Sequence, residues 1–164
     1  MKPTAIVYTS NTGHTARYAQ LLGRETGLPV YALAEAKGLP QGTPIIYLGW
    51  LMASQVKGCK QAARRFTLLA VCGVGLGKSG SQLEQVRRAS ALPEETPLYT
   101  LQGGLDKEKL RGANKALIGV LTRALEGTKN RTAEQEEMLQ LIRQGGDFVG
   151  PENLAEVLAW YRAL

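Results

Sequence analysis

The chain has 164 residues, of which 44% are hydrophobic, and its 20 lysines and arginines against 14 acidic residues give a net charge of +6. This length suits one domain with a proper core. No apolar run approaches the roughly 18 residues of a membrane span, and the first residues lack the pattern of a signal peptide. Cys59 and Cys72 have no metal or redox spacing, so we expect reduced thiols in a cytoplasmic protein.

Strand and helix signals alternate along the chain. Short segments rich in β-branched, aromatic or leucine residues predict strands, and amphipathic helical patterns follow most of them. Ser54 is expected to cap the second helix and Gly27 to end the first. The predicted strands are 4–9, 29–33, 44–49, 67–74 and 96–103. The predicted helices between them are 15–26, 54–66 and 81–91. This alternation predicts an α/β fold with a doubly wound parallel sheet.

Nearly fifty residues separate the last predicted strand from a final amphipathic helix that begins after Gly150-Pro151. They predict two further helices, one over about 111–126 and one over about 132–144 that opens with the capping box Thr132 to Gln135. The first of these is expected to turn four apolar residues inward, namely Leu117, Val120, Leu121 and Leu125. We therefore expect one domain, 1–164, with a helical insertion at about 104–150.

The positive charge is concentrated in the middle of the chain, where residues 50–93 contain one acid, Glu84. This asymmetry favours an acidic partner or an anionic surface, and the alternative is a solvated face without a partner. Nucleic acid is disfavoured because no aromatic residues are interleaved with the basic ones. The basic residues of this section are Lys57, Lys60, Arg64, Arg65, Lys78, Arg87 and Arg88.

The stretch 73-GVGLGKSG-80 matches two nucleotide-binding patterns. Gly75, Gly77 and Gly80 fit the G-x-G-x-x-G dinucleotide fingerprint, and the Gly-Lys-Ser run resembles the end of a P-loop. The context disfavours both. The stretch follows the fourth strand rather than the first, no acid ends the fifth strand, and Cys72 stands where a P-loop needs glycine. A further interpretation is that the glycines permit a tight turn and close packing of helix on strand.

The loop 9-TSNTGHT-15 lies between the first strand and the first helix, at the edge of the sheet where ligands bind in such folds. Its hydroxyls, amide and glycine, with the amides of a starting helix, form an anion cradle without lysine or arginine. Such a cradle suits a phosphate monoester, and the alternative is a capping turn without a ligand. His14 either donates to the phosphate, with a charge that depends on pH, or faces solvent.

This loop resembles the FMN-phosphate loop of flavodoxins, T/S-x-T-G-x-T, because Thr12, Gly13 and Thr15 match its core. The resemblance implies a flavodoxin-like sheet of five parallel strands in the order 2-1-3-4-5 and non-covalently bound FMN. It implies phosphate contacts from the first loop, which comprises Thr9, Ser10, Asn11, Thr12, Gly13, His14 and Thr15. It also implies that the loops after the third and fourth strands flank the flavin ring. Their residues are Gly49, Trp50, Leu51, Met52, Ala53, Cys72, Gly73, Val74, Gly75, Leu76 and Gly77.

Trp50 is the one tryptophan, tyrosine or phenylalanine in these three loops. It is our candidate for stacking on the flavin, and its alternative role is packing under a neighbouring loop. The sequence departs from electron-carrier flavodoxins in being basic where they are acidic and in having no aromatic residue in the loop after the fourth strand.

The segment 102-QGGLDKEKL-110, the helix after it and the closing helix resemble the menaquinone-dependent protoporphyrinogen dehydrogenase branch of the flavodoxin-like proteins. Three hypotheses follow. The protein is an FMN-dependent oxidoreductase that acts on a quinone- or porphyrinogen-like partner, a one-electron carrier with a basic docking face, or a non-flavin binding module that retains the fold. The sequence shows no nucleophile–base pair, metal cluster or carboxylate dyad that would point to hydrolysis or metal chemistry.

Overall fold

The computed structural model describes all 164 residues as an α/β protein with a mostly parallel central sheet. The strands are β1 Ala5–Thr9, β2 Val30–Ala32, β3 Pro44–Met52, β4 Gln55–Val56, β5 Thr67–Gly75, β6 Leu98–Gln102, β7 Gly104–Leu105 and β8 Gly146–Asp147. The helices are α1 His14–Thr26, α2 Cys59–Ala63, α3 Leu83–Ser90, α4 Gly112–Gly127, α5 Ala133–Gln144 and α6 Ala155–Arg162. Short 3-10 turns occupy Ala36–Gly38, Lys107–Lys109 and Pro151–Leu154.

The central sheet has the strand order β2-β1-β3-β5-β6, and these five strands run parallel. The predicted α/β class and parallel sheet are therefore confirmed. Only the 3-10 turn Ala36–Gly38 lies between β2 and β3, because the chain there is too short for a crossover helix of ordinary length. None of the helices combines the length and the apolar character that crossing a bilayer requires.

Helices cover both faces of the sheet. On one face, Ile46 and Leu48 of β3 join a buried cluster with Tyr18 of α1 and residues of α6. On the other face, Tyr47 joins a second buried cluster with Val86 of α3 and residues of α2. Alternate side chains along each strand thus enter opposite cores. This two-sided burial explains why the strand segments are apolar almost throughout.

The predicted loop after the third strand is instead a β-hairpin. β3 continues through Met52, turns at Ala53 and Ser54 with φ of +48° and +63°, and returns as β4. The prediction of a helix that begins at Ser54 is therefore wrong, since α2 begins only after Gly58. The sequence predicted a helix because the apolar residues of 54–66 recur at a helical period. In the structure, the first of these residues instead form β4 and pair with β3.

The insertion between β6 and α6 contains the two expected helices and a small antiparallel pair, β7 with β8. The capping box of α5 is present, with reciprocal hydrogen bonds between Thr132 and Gln135. The prediction that Val120 of α4 points inward is wrong, because its side chain is 64% exposed. Among the residues of α4 only Leu125 is buried, so this helix lies on the molecule rather than within its core.

Candidate functional site

A cavity of about 480 Å³ lies beyond the carboxyl ends of the parallel strands. This volume falls within the range of small-molecule sites. The loop after β1 and the start of α1 form one end, and the β3–β4 hairpin and the end of β5 form the base. Helices α4 and α5 form the roof. The position agrees with the rule that open α/β sheets bind ligands at this edge.

One end of the cavity is suited to an anion. His14 and Thr15 are the first two residues of α1, and their backbone N–H groups have no acceptor in the protein. The positive end of the helix dipole adds to these donors. Thr15 is only 1% exposed, lines the cavity, and has a hydroxyl without a hydrogen-bond partner in the protein. No buried side-chain oxygen or nitrogen lacks a partner, so this hydroxyl is open to the cavity and available to a ligand.

The other hydroxyls of the predicted phosphate loop are already used within the protein. Ser10 Oγ accepts hydrogen bonds from the backbone N–H groups of Gly13 at 3.2 Å and Ala16 at 3.3 Å. Thr9 Oγ1 donates to the carbonyl of Lys57 at 3.1 Å and bonds the hydroxyl of Tyr47. These contacts hold the loop and point away from the cavity. The predicted residues that line the cavity are Asn11, Thr12, His14 and Thr15, whereas Thr9, Ser10 and Gly13 do not.

His14 is the one titratable residue that lines the cavity. Its Nδ1 is hydrogen-bonded to Thr12 Oγ1 at 3.0 Å. Burial lowers the pKa of His14 below its ordinary value, and nearby Arg17 lowers it further, while Asp147 raises it to a smaller extent than burial lowers it. The ring is therefore neutral near pH 7. An anion at this end meets neutral donors only, since Arg17 is paired with Asp147 at 2.5 Å.

The hairpin and the end of β5 form the base of the cavity. Seven of the eleven predicted ring-contact residues line it, namely Trp50, Leu51, Ala53, Val74, Gly75, Leu76 and Gly77. The Lys57 ammonium lies 6.0 Å from the centroid of the Trp50 ring, which is a cation–π distance. Trp50 therefore lines the cavity and is also covered by Lys57.

Four predicted ring-contact residues do not line the cavity: Gly49, Met52, Cys72 and Gly73. Cys72 is fully buried in the core beneath α1 and α6. Gly73 is covered by Leu51, because a Cβ on Gly73 would lie 2.8 Å from Leu51 Cδ2. These residues lie away from the cavity because the segments are strands, in which successive residues point to opposite faces.

The roof contains residues that the sequence did not assign to the site. From α4 and α5 they are Asn114, Leu117, Ile118, Leu121 and Met138. From the loops they are Ser54, Gln82, Gln85, Gly103, Gly104, Leu105 and Leu110. The sequence did contain a signal for these roof residues. The apolar residues of α4 cover a wider arc of the helix than is needed to bury Leu125 alone. No lysine, arginine, aspartate or glutamate lines the cavity, so its interior suits an uncharged, apolar body.

The two thiols take no part in this site. Burial raises the pKa of Cys59 to about 11 and that of Cys72 to about 12, and neither lines the cavity. A thiolate nucleophile is therefore not formed near neutral pH. No three histidine, cysteine or acidic side chains are grouped closely enough to hold a metal ion.

The basic residues of the middle section are dispersed. Arg65 donates to the carbonyls of Lys37 and Leu39, in the loop before β3. Arg87 donates to the carbonyls of Pro93 and Thr96, in the loop before β6. Both therefore lie at the amino-terminal edge of the sheet, opposite the cavity. The expected basic face beside the predicted flavin loops is thus not formed by these arginines.

The fold and the cavity define an α/β protein with a candidate ligand cavity at the carboxyl edge of a parallel sheet. Comparison of the chain with protein-family models, curated proteins and solved structures gives no match. The function must therefore be argued from the geometry and chemistry of the site.

Proposed function

We propose that the chain is an FMN-binding, flavodoxin-like redox protein that acts as an oxidoreductase. The observation that carries this proposal is the cavity itself, which joins an anion site of neutral donors to an uncharged cleft at the carboxyl edge of the sheet. The strand order β2-β1-β3-β5-β6 corresponds to the flavodoxin-like order 2-1-3-4-5, and it supports the same proposal.

The residues present fit the two ends of FMN. The phosphate would accept hydrogen bonds from the N–H groups of His14 and Thr15 and from the Thr15 hydroxyl. The ring would lie against Trp50 and the backbone of Val74 to Gly77. When bound, flavin supplies one- and two-electron redox chemistry, whereas the protein contributes binding, orientation and electrostatics.

The roof supplies what the loop after β5 lacks. No aromatic residue of that loop can cover the outer face of a flavin, but Leu117, Ile118 and Leu121 of α4 line the opposite wall of the same cavity. These side chains would exclude water from the ring, which strengthens the electrostatic interactions inside the site. The insertion thus takes the place of a stacking aromatic.

A cavity that the insertion partly covers favours an oxidoreductase over a one-electron carrier. A carrier presents its flavin edge to a protein partner, whereas α4 and α5 cover this site. Arg65 and Arg87 lie at the opposite edge of the sheet, which weakens the argument for a basic docking face. Because the lining has no charged residue, we propose a neutral, quinone-like acceptor rather than one with several carboxylates.

The test is a titration of the purified protein with FMN and, in parallel, with riboflavin. Flavin fluorescence and the visible spectrum report binding. We expect FMN to bind at least about tenfold more tightly than riboflavin, because hydrogen bonds to a charged group contribute about 1.5–3 kcal/mol. Failure of both to bind, with no change in melting temperature, would refute the proposal. Reoxidation of the reduced holoprotein by a soluble quinone then separates an oxidoreductase from a carrier, which should show no such turnover.

A further inference from the structure

The insertion, residues 105–144, is built as a separate body with its own small core. Leu105, Leu125, Leu139 and Ile142 form a buried cluster that is distinct from the two clusters of the sheet. The partly buried residues packed against this cluster also belong to the insertion, with one exception, Leu76 in the loop after β5. The insertion is therefore joined to the sheet by little apolar packing, although it covers the cavity.

Both connections between the insertion and the sheet contain a pair of glycines. Gly103-Gly104 precedes the insertion, and Gly145-Gly146 follows it. Gly104 and Gly145 have φ of +146° and +73°, which side chains other than glycine rarely adopt. The two pairs lie side by side, because β7 pairs with β8 and a Cβ on Gly104 would collide with the Gly146 carbonyl. Two adjacent connections at the ends of elements, each with backbone conformations that favour glycine, can serve as one hinge.

An exposed ion pair closes the far side of the insertion. Lys78 of the loop after β5 contacts Glu137 of α5 at 2.8 Å, and the two side chains are 65% and 53% exposed. Exposed pairs of this kind contribute little free energy. The pair can hold the insertion in place and still release it readily.

We propose that residues 105–144 form a hinged lid over the cavity, with the two glycine pairs as the hinge and Lys78–Glu137 as the latch. In the closed position, Leu117, Ile118 and Leu121 form the roof. In the open position the lid moves as a unit and the cavity becomes accessible to its ligand and to the acceptor. The hinge follows from the connections and the separate core, whereas a role in flavin access rests on the proposed function.

The test measures the distance between two spin labels by pulsed electron paramagnetic resonance. Val120→Cys places one label on the exposed face of α4, and Gln20→Cys places the other on the exposed face of α1. The natural Cys59 and Cys72 are buried with raised pKa values, so they remain unlabelled. A second pair, Val120→Cys with Gln140→Cys, lies wholly within the lid and reports whether the lid stays folded.

The latch is tested with a matched control. Lys78→Gln removes the contact between lid and sheet, whereas Arg143→Gln removes a contact of similar exposure within the lid, Arg143–Glu126 at 3.0 Å. We expect Lys78→Gln to raise the ratio of long to short α4–α1 distances by about two- to fivefold. Arg143→Gln should leave this ratio unchanged, and the distance within the lid should stay the same in both variants.

A single narrow α4–α1 distance that Lys78→Gln does not change would overturn the lid, and so would equal broadening of the distance within the lid. Saturating FMN is added last. A shift toward the short distance supports control of flavin access. If FMN leaves the distances unchanged while Lys78→Gln changes them, control of flavin access by the lid fails and the hinge stands, whereas the flavin proposal itself fails only if the titration shows no FMN binding.

Discussion

At the scale of single residues, the site depends on which hydroxyls the protein leaves unpaired. Ser10 and Thr9 bond to their own loop and to the hairpin, so the threonine- and serine-rich sequence overstates the number of donors. Thr15 is different, because it lines the cavity and its hydroxyl makes no hydrogen bond within the protein. The sequence predicted an anion cradle, and the structure reduces it to a few specific donors at the start of α1.

Thr15→Val should weaken FMN binding by about tenfold or more, because it removes a hydroxyl that would bond a charged phosphate. Valine has nearly the same shape, so the melting temperature of the apoprotein should change little. Fluorescence titration with FMN measures the effect, and riboflavin serves as the comparison since it lacks the phosphate. Thr26→Val is the matched control, because the Thr26 hydroxyl donates to Leu22 at the other end of α1. Equal losses for FMN and riboflavin would mean that Thr15 does not contact the phosphate.

At the scale of elements, the β3–β4 hairpin explains a glycine that the sequence assigned to the flavin. Gly49 is buried and does not line the cavity. A Cβ there would lie 2.5 Å from the Lys57 carbonyl oxygen and 2.6 Å from Val56 Cγ1. Its lack of a side chain therefore allows the return strand to approach β3. The hairpin in turn places Trp50 and Leu51 at the base of the cavity.

Gly49→Ala should lower the free energy of unfolding by about 1–3 kcal/mol, because the added methyl group overlaps backbone that cannot easily move. Urea denaturation followed by circular dichroism measures this loss. Gly38→Ala is the control, since a Cβ at Gly38 meets nothing within 4 Å and its φ is not positive. That variant should be as stable as the parent or slightly more stable. A Gly49→Ala protein of unchanged stability would show that the hairpin has room to adjust.

Local sequence patterns predicted the elements that depend on local contacts. The capping box at Thr132 and the α/β alternation are examples, and both are confirmed. The hairpin after Gly49 was missed because strand pairing competes with a helical period that looks equally good in one dimension. The roof residue Ile118 was missed, and Val120 was wrongly predicted to point inward, because α4 packs against a small separate core. Where that core sits depends on the chain path, which no local pattern specifies.

At the scale of the whole molecule, burial is uneven. In β3, residues Ile45 to Gly49 are all buried between two helical layers, whereas α4 buries only Leu125. The sheet is thus the rigid frame, and the insertion contributes no residue to the two buried clusters that hold the sheet together. Ligand sites commonly place their moving parts at the low-stability end of the structure.

We therefore expect the backbone amides of α4 to exchange hydrogen for deuterium well before those of β3 and β5. Local opening of α4 exposes little apolar surface, so its exchange should depend only weakly on added urea, whereas exchange in the two strands should follow global unfolding. Peptide-resolved mass spectrometry at increasing urea measures both. Helix α1 is the internal control, because it is of similar length but buries Tyr18, Ala19 and Leu22 against the sheet. If α4 and β3 share one urea dependence, the insertion unfolds only with the sheet, and the division into frame and lid loses its energetic basis.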